Sequence, residues 1–269
     1  GVPIRKASEL FGLIHFVFFS PEDLSIIKNG PAERRHFLDS ELCQLDKVYL
    51  YQLSNYNKVV LQRNKLLKEL YLHPDYREVL DVLDMQLVQY GSALIQRRQT
   101  FAEELGEIVH RIHSQLSGGQ EEMELKYEPN VTEDAFAQML FANRERDMRL
   151  KTTATGPHRD DISFVVNGVD IRKFGSQGQQ RTAALSLKLS EIELVKRLIG
   201  DTPVLLLDDV LSELDSGRQN YLLNSIENIQ TLITCTGLDE FVNHRFSINR
   251  IYKVTDGSVT VENKQEADR

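Results

Sequence analysis

The chain has 269 residues, 41% of them hydrophobic, enough to bury one large core or two modest ones. A formal net charge of −8 and a pI of about 5.5 exclude a protein that coats DNA by bulk electrostatics, so any DNA contact must be local, dimer-built or supplied by a partner. No apolar run approaches a membrane span, no signal-peptide profile is present, and Cys43 and Cys235 stand outside any metal-ligand spacing, which together predict a cytoplasmic chain with reduced thiols.

Residues 13–19 read as a strand, and Ser20-Pro21-Glu22-Asp23 breaks it with N-cap chemistry for a short helix. Asn29-Gly30-Pro31 turns into a second helix starting near Ala32. Arg34 and Arg35, just inside it, are either phosphate or DNA contacts or ion-pair partners for Glu33 and Asp39. From Leu45 to Gln115 the pattern is helical almost throughout, with a break at His73-Pro74 that predicts an antiparallel helical hairpin. Tyr49, Tyr51 and Tyr56 read as core rather than a base-stacking platform. Arg63, Lys65, Lys68, Arg97 and Arg98 read as a solvated charged face rather than a phosphate track.

Val131 to Asp147 is predicted as one amphipathic helix with Thr132 as its N-cap, and Leu150 to Thr155 as a strand. Gly156-Pro157-His158-Arg159-Asp160-Asp161 then turns into a strand from Ile162 to Val166. Asn167-Gly168 is a hairpin signal, with Val169 to Lys173 returning.

The stretch from Phe174 to Asp215 carries the chemistry. Gly175, Ser176 and Gly178 form a small-residue turn whose backbone N–H groups can approach a phosphate, and they open a helix whose N-terminus favours anions. Apolar residues at helical spacing run to Leu198, and Gly200-Asp201-Thr202-Pro203 stops them. Val204 to Leu207 is a wholly apolar run, as in a strand buried on both faces. Asp208 and Asp209 follow at its carboxyl end, where open α/β sheets place ligands. Adjacent carboxylates there suit two roles, Asp208 holding Mg²⁺ through water and Asp209 polarising an attacking water. A helix from Ser216 to Asn228, a strand from Thr231 to Cys235 and a hairpin over 251–261 complete the chain, and the tail Glu262 to Arg269 is predicted to fray.

Four blocks resemble the RecF family of ABC-type ATPases: P-E-D-L-S-I-I-K-N-G-P-A-E-R-R-H-F-L-D at 21–39, G-P-H-R-D-D at 156–161, S-Q-G-Q-Q-R at 176–181 and L-L-L-D-D-V-L-S-E-L-D at 205–215. They stand in family order across nearly the whole chain. The resemblance implies an α/β fold, an ABC-type P-loop ATPase head formed by 1–24 and 150–269, with a mostly helical lobe inserted over 25–149. It implies ATP and Mg²⁺ as cofactors and an ATP-dependent homodimer in which Ser176, Gly178 and Gln179 of one head complete the γ-phosphate site of the other. Asp215 falls in the loop that crosses to the partner. Thr236 stands where most ABC proteins put a switch His, and His158 and Arg159 are expected to face the nucleotide or the partner, unless 156–161 is a turn held by Asp160 and Asp161. The shorter Asp209, where most relatives carry Glu, implies slow hydrolysis. The family shows Gly where Asn29 stands. The implied role is binding gapped or junction DNA with RecR, and with RecO in the pathway, to help load RecA.

Leu116-Ser117-Gly118-Gly119-Gln120 also spells the ABC signature, letter for letter, but an alternating run ending at Pro129 follows it, so Gly118-Gly119 reads as a helix stop. No G-x-x-x-x-G-K-[ST] phosphate loop occurs. The family carries that loop near its N-terminus, so the chain is expected to be a fragment with half of each composite site, unable to hydrolyse ATP alone. Two alternatives remain: a non-hydrolytic DNA- or RecR-binding scaffold, and a metal-dependent nuclease using Asp160, Asp161, Asp208 and Asp209.

Overall fold

The computed structural model describes Gly12 and residues 14–69, 77–236 and 249–262. The chain forms two compact units, Gly1–Ile233 and Thr234–Arg269. In the first, β1 (Phe16–Phe19) leads through a 3-10 turn at Pro21–Asp23 into α1 (Leu24–Lys28) and α2 (Pro31–Leu45). Asp23 accepts the Ser20 N–H at 2.7 Å and closes that turn. Asn29 has φ −81°, so no left-handed residue is needed there; its carbonyl instead accepts from Arg34 at 2.7 Å.

Helices α3 (Lys47–Glu69) and α4 (Arg77–Leu116) form an antiparallel pair. Tyr49 faces Arg98, Tyr56 lies against Gly91, and Arg63 faces Asp84, one continuous register. The expected break at His73-Pro74 lies outside the described residues. Tyr49 and Tyr56 are core, but Tyr51 is exposed. Beyond Arg98, α4 leaves α3 and packs on β2 (Met123–Glu128) and on α8 (Gln177–Ile199).

The expected solvated face of Arg63 and Arg98 is a correction: both guanidinium groups are buried. Arg63 donates to Asp84 at 2.6 Å, and to Asp147 at 2.7 Å and Thr153 at 3.0 Å. Arg98 donates to the Tyr49 hydroxyl, to Asp39 at 2.7 Å, to Asp160 at 2.9 Å and to the Pro157 carbonyl. Long cations with several carboxylate partners tolerate an interior that an unpaired charge cannot.

The single helix expected over 131–147 is two, α5 (Phe136–Ala142) and α6 (Arg144–Leu150), meeting at Asn143. Thr132 caps neither. The strand expected over 150–155 is absent. Lys151 turns left-handed (φ 55°) and ends α6, and the segment is drawn into the Arg63 network through Thr153. Strand β3 (Asp161–Val166) pairs antiparallel with β2, Met123 opposite Val166, and with the short β4 (Val169–Asp170) across the Asn167-Gly168 turn. The return expected as far as Lys173 stops at Asp170, where α7 (Ile171–Phe174) begins.

A second sheet has the order β1-β5-β6, with β5 (Val204–Asp208) parallel to β1, Phe19 opposite Leu207, and β6 (Thr231–Thr234) at its far side. Helix α8 packs on β1, so Val17 and Phe19 are buried while Phe16 and Phe18 are exposed. After β5 come a 3-10 turn, Leu211–Glu213, and α9 (Ser216–Ser225). The second unit contains a hairpin, β7 (Ile251–Thr255) with β8 (Ser258–Glu262), turned by left-handed Asp256 and Gly257.

A buried charge cluster joins α2, α8 and the turn after β1. Lys188 contacts Glu191 at 2.5 Å and Asp23 at 3.9 Å, and Glu41 lies beside Glu191. Three carboxyl groups share one ammonium. Burial first, and then the charge of Glu191, push Glu41 well above the usual carboxylate range. A folded pKa above the unfolded one contributes stability present below the unfolded value and lost as pH rises towards the folded value. Each pH unit in that window costs at most about 1.4 kcal/mol. Glu41→Gln removes the loss, so thermal melts should show it more stable than the parent at pH 8, with the gap closing by pH 5. A gap independent of pH would contradict the assignment.

Candidate nucleotide site

The two halves of the candidate site lie on elements joined in sequence, α8 and β5. At the start of α8, Ser176 is the N-cap: its Oγ accepts the Gln179 N–H at 3.2 Å, and the Gln179 side-chain oxygen accepts the Ser176 N–H at 3.0 Å. This reciprocal capping box pins the turn. Ser176 and Gly178 are exposed, and Gln179 is half-buried. Because Ser176 Oγ serves as the acceptor, its hydroxyl proton remains to donate outward. A Cβ added to Gly178 would meet nothing nearer than Ser176 Oγ at 3.9 Å, whereas one on Gly175 would strike the Ile171 carbonyl at 2.5 Å. Gly175 is needed by the fold; Gly178 is not.

Strand β5 ends at Asp208, which is exposed, and Asp209 follows with φ 51°. A left-handed Asp is tolerated but disfavoured, and such residues concentrate at functional turns. Asp208 and Asp209 line a pocket of about 300 Å³ with Phe18, Ser20, Pro21 and Glu22. The pocket sits at the carboxyl ends of the parallel strands β1 and β5, the expected ligand position in such a sheet. Ser20 and Glu22 join the site without belonging to its 176–181 or 205–215 motifs. The signal was available, since they follow an apolar strand directly, as Asp208 and Asp209 do. The polar side chains of the lining residues carry only oxygen, which suits a hard cation. Among the described residues no group of three or more His, Cys, Asp or Glu could enclose a metal. A Mg²⁺ ion here would keep waters and bind phosphate oxygens, its usual habit at such sites.

His158 is half-buried, with both ring nitrogens engaged within the chain. Its Nε2 donates to the Thr153 carbonyl (2.9 Å) and its Nδ1 accepts from the Tyr56 hydroxyl (2.7 Å). Burial lowers its pKa to about 4, so the ring is neutral near pH 7 and offers no cationic charge to a phosphate. Arg159 is exposed, with one long bond to the Thr153 carbonyl. Asp160 is fully buried and accepts from Arg98, Tyr127 and the Asn130 N–H. Asp161 receives two bonds from Arg34, at 2.6 and 2.9 Å. Arg34, a candidate DNA contact, is 1% exposed and has its donors committed to Asp161 and the carbonyls of Ile26 and Asn29, so burial removes it from any DNA surface. Arg35 is half-buried and donates to the Asp160 carbonyl. Neither arginine pairs with Glu33 or Asp39, the partners expected from proximity in sequence. The nuclease alternative loses its second carboxylate pair, because Asp160 and Asp161 serve Arg98 and Arg34 in the other sheet.

Asp215 caps α9, accepting the Arg218 N–H at 3.0 Å, and its carboxyl is held below the usual range by that bond first and then by the Arg218 charge. Thr236 is exposed and belongs to the second unit. The L-S-G-G-Q spelling at 116–120 closes α4: Gly118 and Gly119 have φ 65° and 77°, and the Gly119 N–H bonds back to the Ser114 carbonyl.

The chain is 62% identical over 260 residues to the DNA replication and repair protein RecF of Agathobacter rectalis, covering 97% of this chain and 72% of that protein. It is 46% identical over 264 residues to RecF of Clostridium kluyveri, covering 96% and 72%. The chain belongs to the RecF family. Solved structures of the recombination mediator protein RecF in the RecFOR pathway, with ATP and with ATPrS, superpose with a TM-score of 0.86 at 35% identity, covering 96–97% of this chain and 70% of theirs. The fold is thus the RecF form of the ABC-type ATPase head. No protein-family model matches the chain. No helix among its described residues is long and apolar enough to cross a membrane.

Proposed function

We propose that this chain is the greater part of an ATP-dependent DNA replication and repair protein, in which two copies close on ATP and hydrolysis releases them. One observation carries the split-site reading. Lys188, the α8 residue that reaches Asp23 beside the pocket, is twelve residues from Ser176. At 1.5 Å per helical residue the signature turn lies roughly 18 Å along α8 from that point. That separation supports a reading in which the signature of one head serves the nucleotide of another. Asp208 would hold Mg²⁺ through water, and Asp209 would orient the attacking water. Bound there, Mg²⁺ would neutralise charge on the phosphoryl oxygens. Asp215, Thr236 and Arg159 are assigned to the nucleotide or the partner. The ATPase head is taken as 1–24 and 150–269 with the helical lobe at 25–149.

The relatives' names and the RecFOR setting of the solved structures support action with RecR and RecO on gapped or junction DNA, leading to RecA loading, in the cytoplasm. The net charge of −8 favours a DNA surface built by the dimer or completed by a partner.

Gly178→Ala in the full-length protein tests the signature assignment. The open space around Gly178 predicts unchanged thermal stability, within about 1 kcal/mol. Sedimentation with ATP should show dimerisation weakened at least about tenfold, since a new methyl group blocks close backbone approach to a phosphate. Undiminished dimerisation would remove Gly178 from the site.

A further inference from the structure

Gln179 is the pivot of the signature turn, and its side-chain amide has two faces. The oxygen accepts the Ser176 N–H, and the Nε2 group donates to Glu121 Oε1 at 2.9 Å. A carboxylate can only accept and the Ser176 N–H can only donate, so the two hold the amide in one orientation from opposite ends. Without Glu121 only the Ser176 N–H holds it, and the side chain can swing out of the capping box. Glu121 is itself fixed. Its backbone N–H donates to Ser117 Oγ at 3.1 Å, and its Oε2 contacts His113 Nε2 at 3.2 Å. His113 lies in the last turn of α4, is fully buried, and reaches Ser186 of α8 through Nδ1 at 2.9 Å. Thus Glu121, in the loop closing α4, bridges the first turn of α8 to the head end of the helical arm.

We propose that Glu121 is a positioning residue for nucleotide-driven dimerisation: it locks the Gln179 amide that shapes the signature turn and couples that turn to α4 through His113. The inference rests on the assignment of Ser176 to Gln179 as the signature of the composite site. It gives the Leu116–Gln120 loop a use that its misleading spelling conceals. Directly after it comes Glu121, the acidic side chain that holds the true signature in shape.

The test uses the full-length protein and reads two quantities separately: ATP affinity of the monomer by a fluorescent analogue, and the dimer dissociation constant at saturating ATP. Glu121→Ala should leave monomer affinity within twofold and weaken dimerisation about tenfold. Glu121→Gln, whose amide oxygen can still accept from Gln179, should recover most of that loss. A Glu121→Ala/Gln179→Ala double variant should be no weaker than Gln179→Ala alone, because both act through one turn. A general structural defect would instead lower monomer affinity too and add to the Gln179 effect, which overturns the proposal. Dimerisation untouched by Glu121→Ala but lost with Gln179→Ala overturns it while leaving the signature assignment standing. If neither variant changes dimerisation, the signature assignment itself fails, and the proposal falls with it.

Discussion

Arg98→Met should destabilise the protein by about 3–5 kcal/mol, the cost typical of removing one partner from a buried charge network. Asp160, fully buried, loses the Arg98 guanidinium at 2.9 Å, and Asp39 loses its charge-assisted bond from Arg98. The Pro157 carbonyl loses a donor as well. For a chain of this size the thermal midpoint should fall by roughly 10 °C or more. Met preserves most of the side-chain volume, so the effect isolates charge from packing. Adding Asp160→Asn should recover part of the loss, because burial already penalises the Asp160 charge and raises its pKa. Thermal melts of the parent, single and double variants decide it. A double variant weaker than Arg98→Met would show that Asp160 matters as an acceptor rather than as a charge.

Asp209→Asn should reduce DNA-stimulated ATP turnover of the full-length protein by about 10²–10⁴-fold, the usual contribution of a group that activates a nucleophile. ATP binding and ATP-dependent dimerisation should persist. The fold should tolerate the change, because Asn adopts the left-handed conformation recorded at this position (φ 51°) as readily as Asp. The Asp209 carbonyl, which accepts from Ser212 Oγ at 2.9 Å, is also unaltered. Steady-state turnover measured beside analogue binding separates the two roles. Turnover equal to the parent's would move the water-orienting role elsewhere. A full-length parent with no turnover at all would favour a scaffold in which ATP only binds.

The central stretch was legible because its signals are local. Small residues before Gln177, helical periodicity to Ile199, and an apolar run ending in Asp208 each fall within a few turns of chain. The long α3–α4 pair was legible for the same reason. What sequence could not disclose was which charges are buried. Arg63 and Arg98 sit among polar residues in patterns that ordinarily face water, and their partners Asp147 and Asp160 lie 84 and 62 positions away. The same long-range pairing makes Asp160 and Asp161 of G-P-H-R-D-D part of the knot where α2, α4 and β2 meet, while Arg159 stays exposed. Gly156 shows this most simply. Its φ of 133° and its closeness to Tyr56 and Phe136 leave no room for a side chain, so it is required by packing rather than by a ligand. The misread 131–155 region failed for a related reason, since Asp147 and Thr153 are drawn to Arg63 on a different helix.

Helix α4 is an unbroken rod of 40 residues, about 60 Å from end to end. Its head end touches α8 through His113, and its far half carries α3 along its flank. A rod of that length multiplies small angles. A tilt of about 5° at the head displaces the far end by about 5 Å, close to one helical turn. Movements of the signature helix too slight to alter its own hydrogen bonds would therefore arrive at the far end of α4 as displacements of about one helical turn.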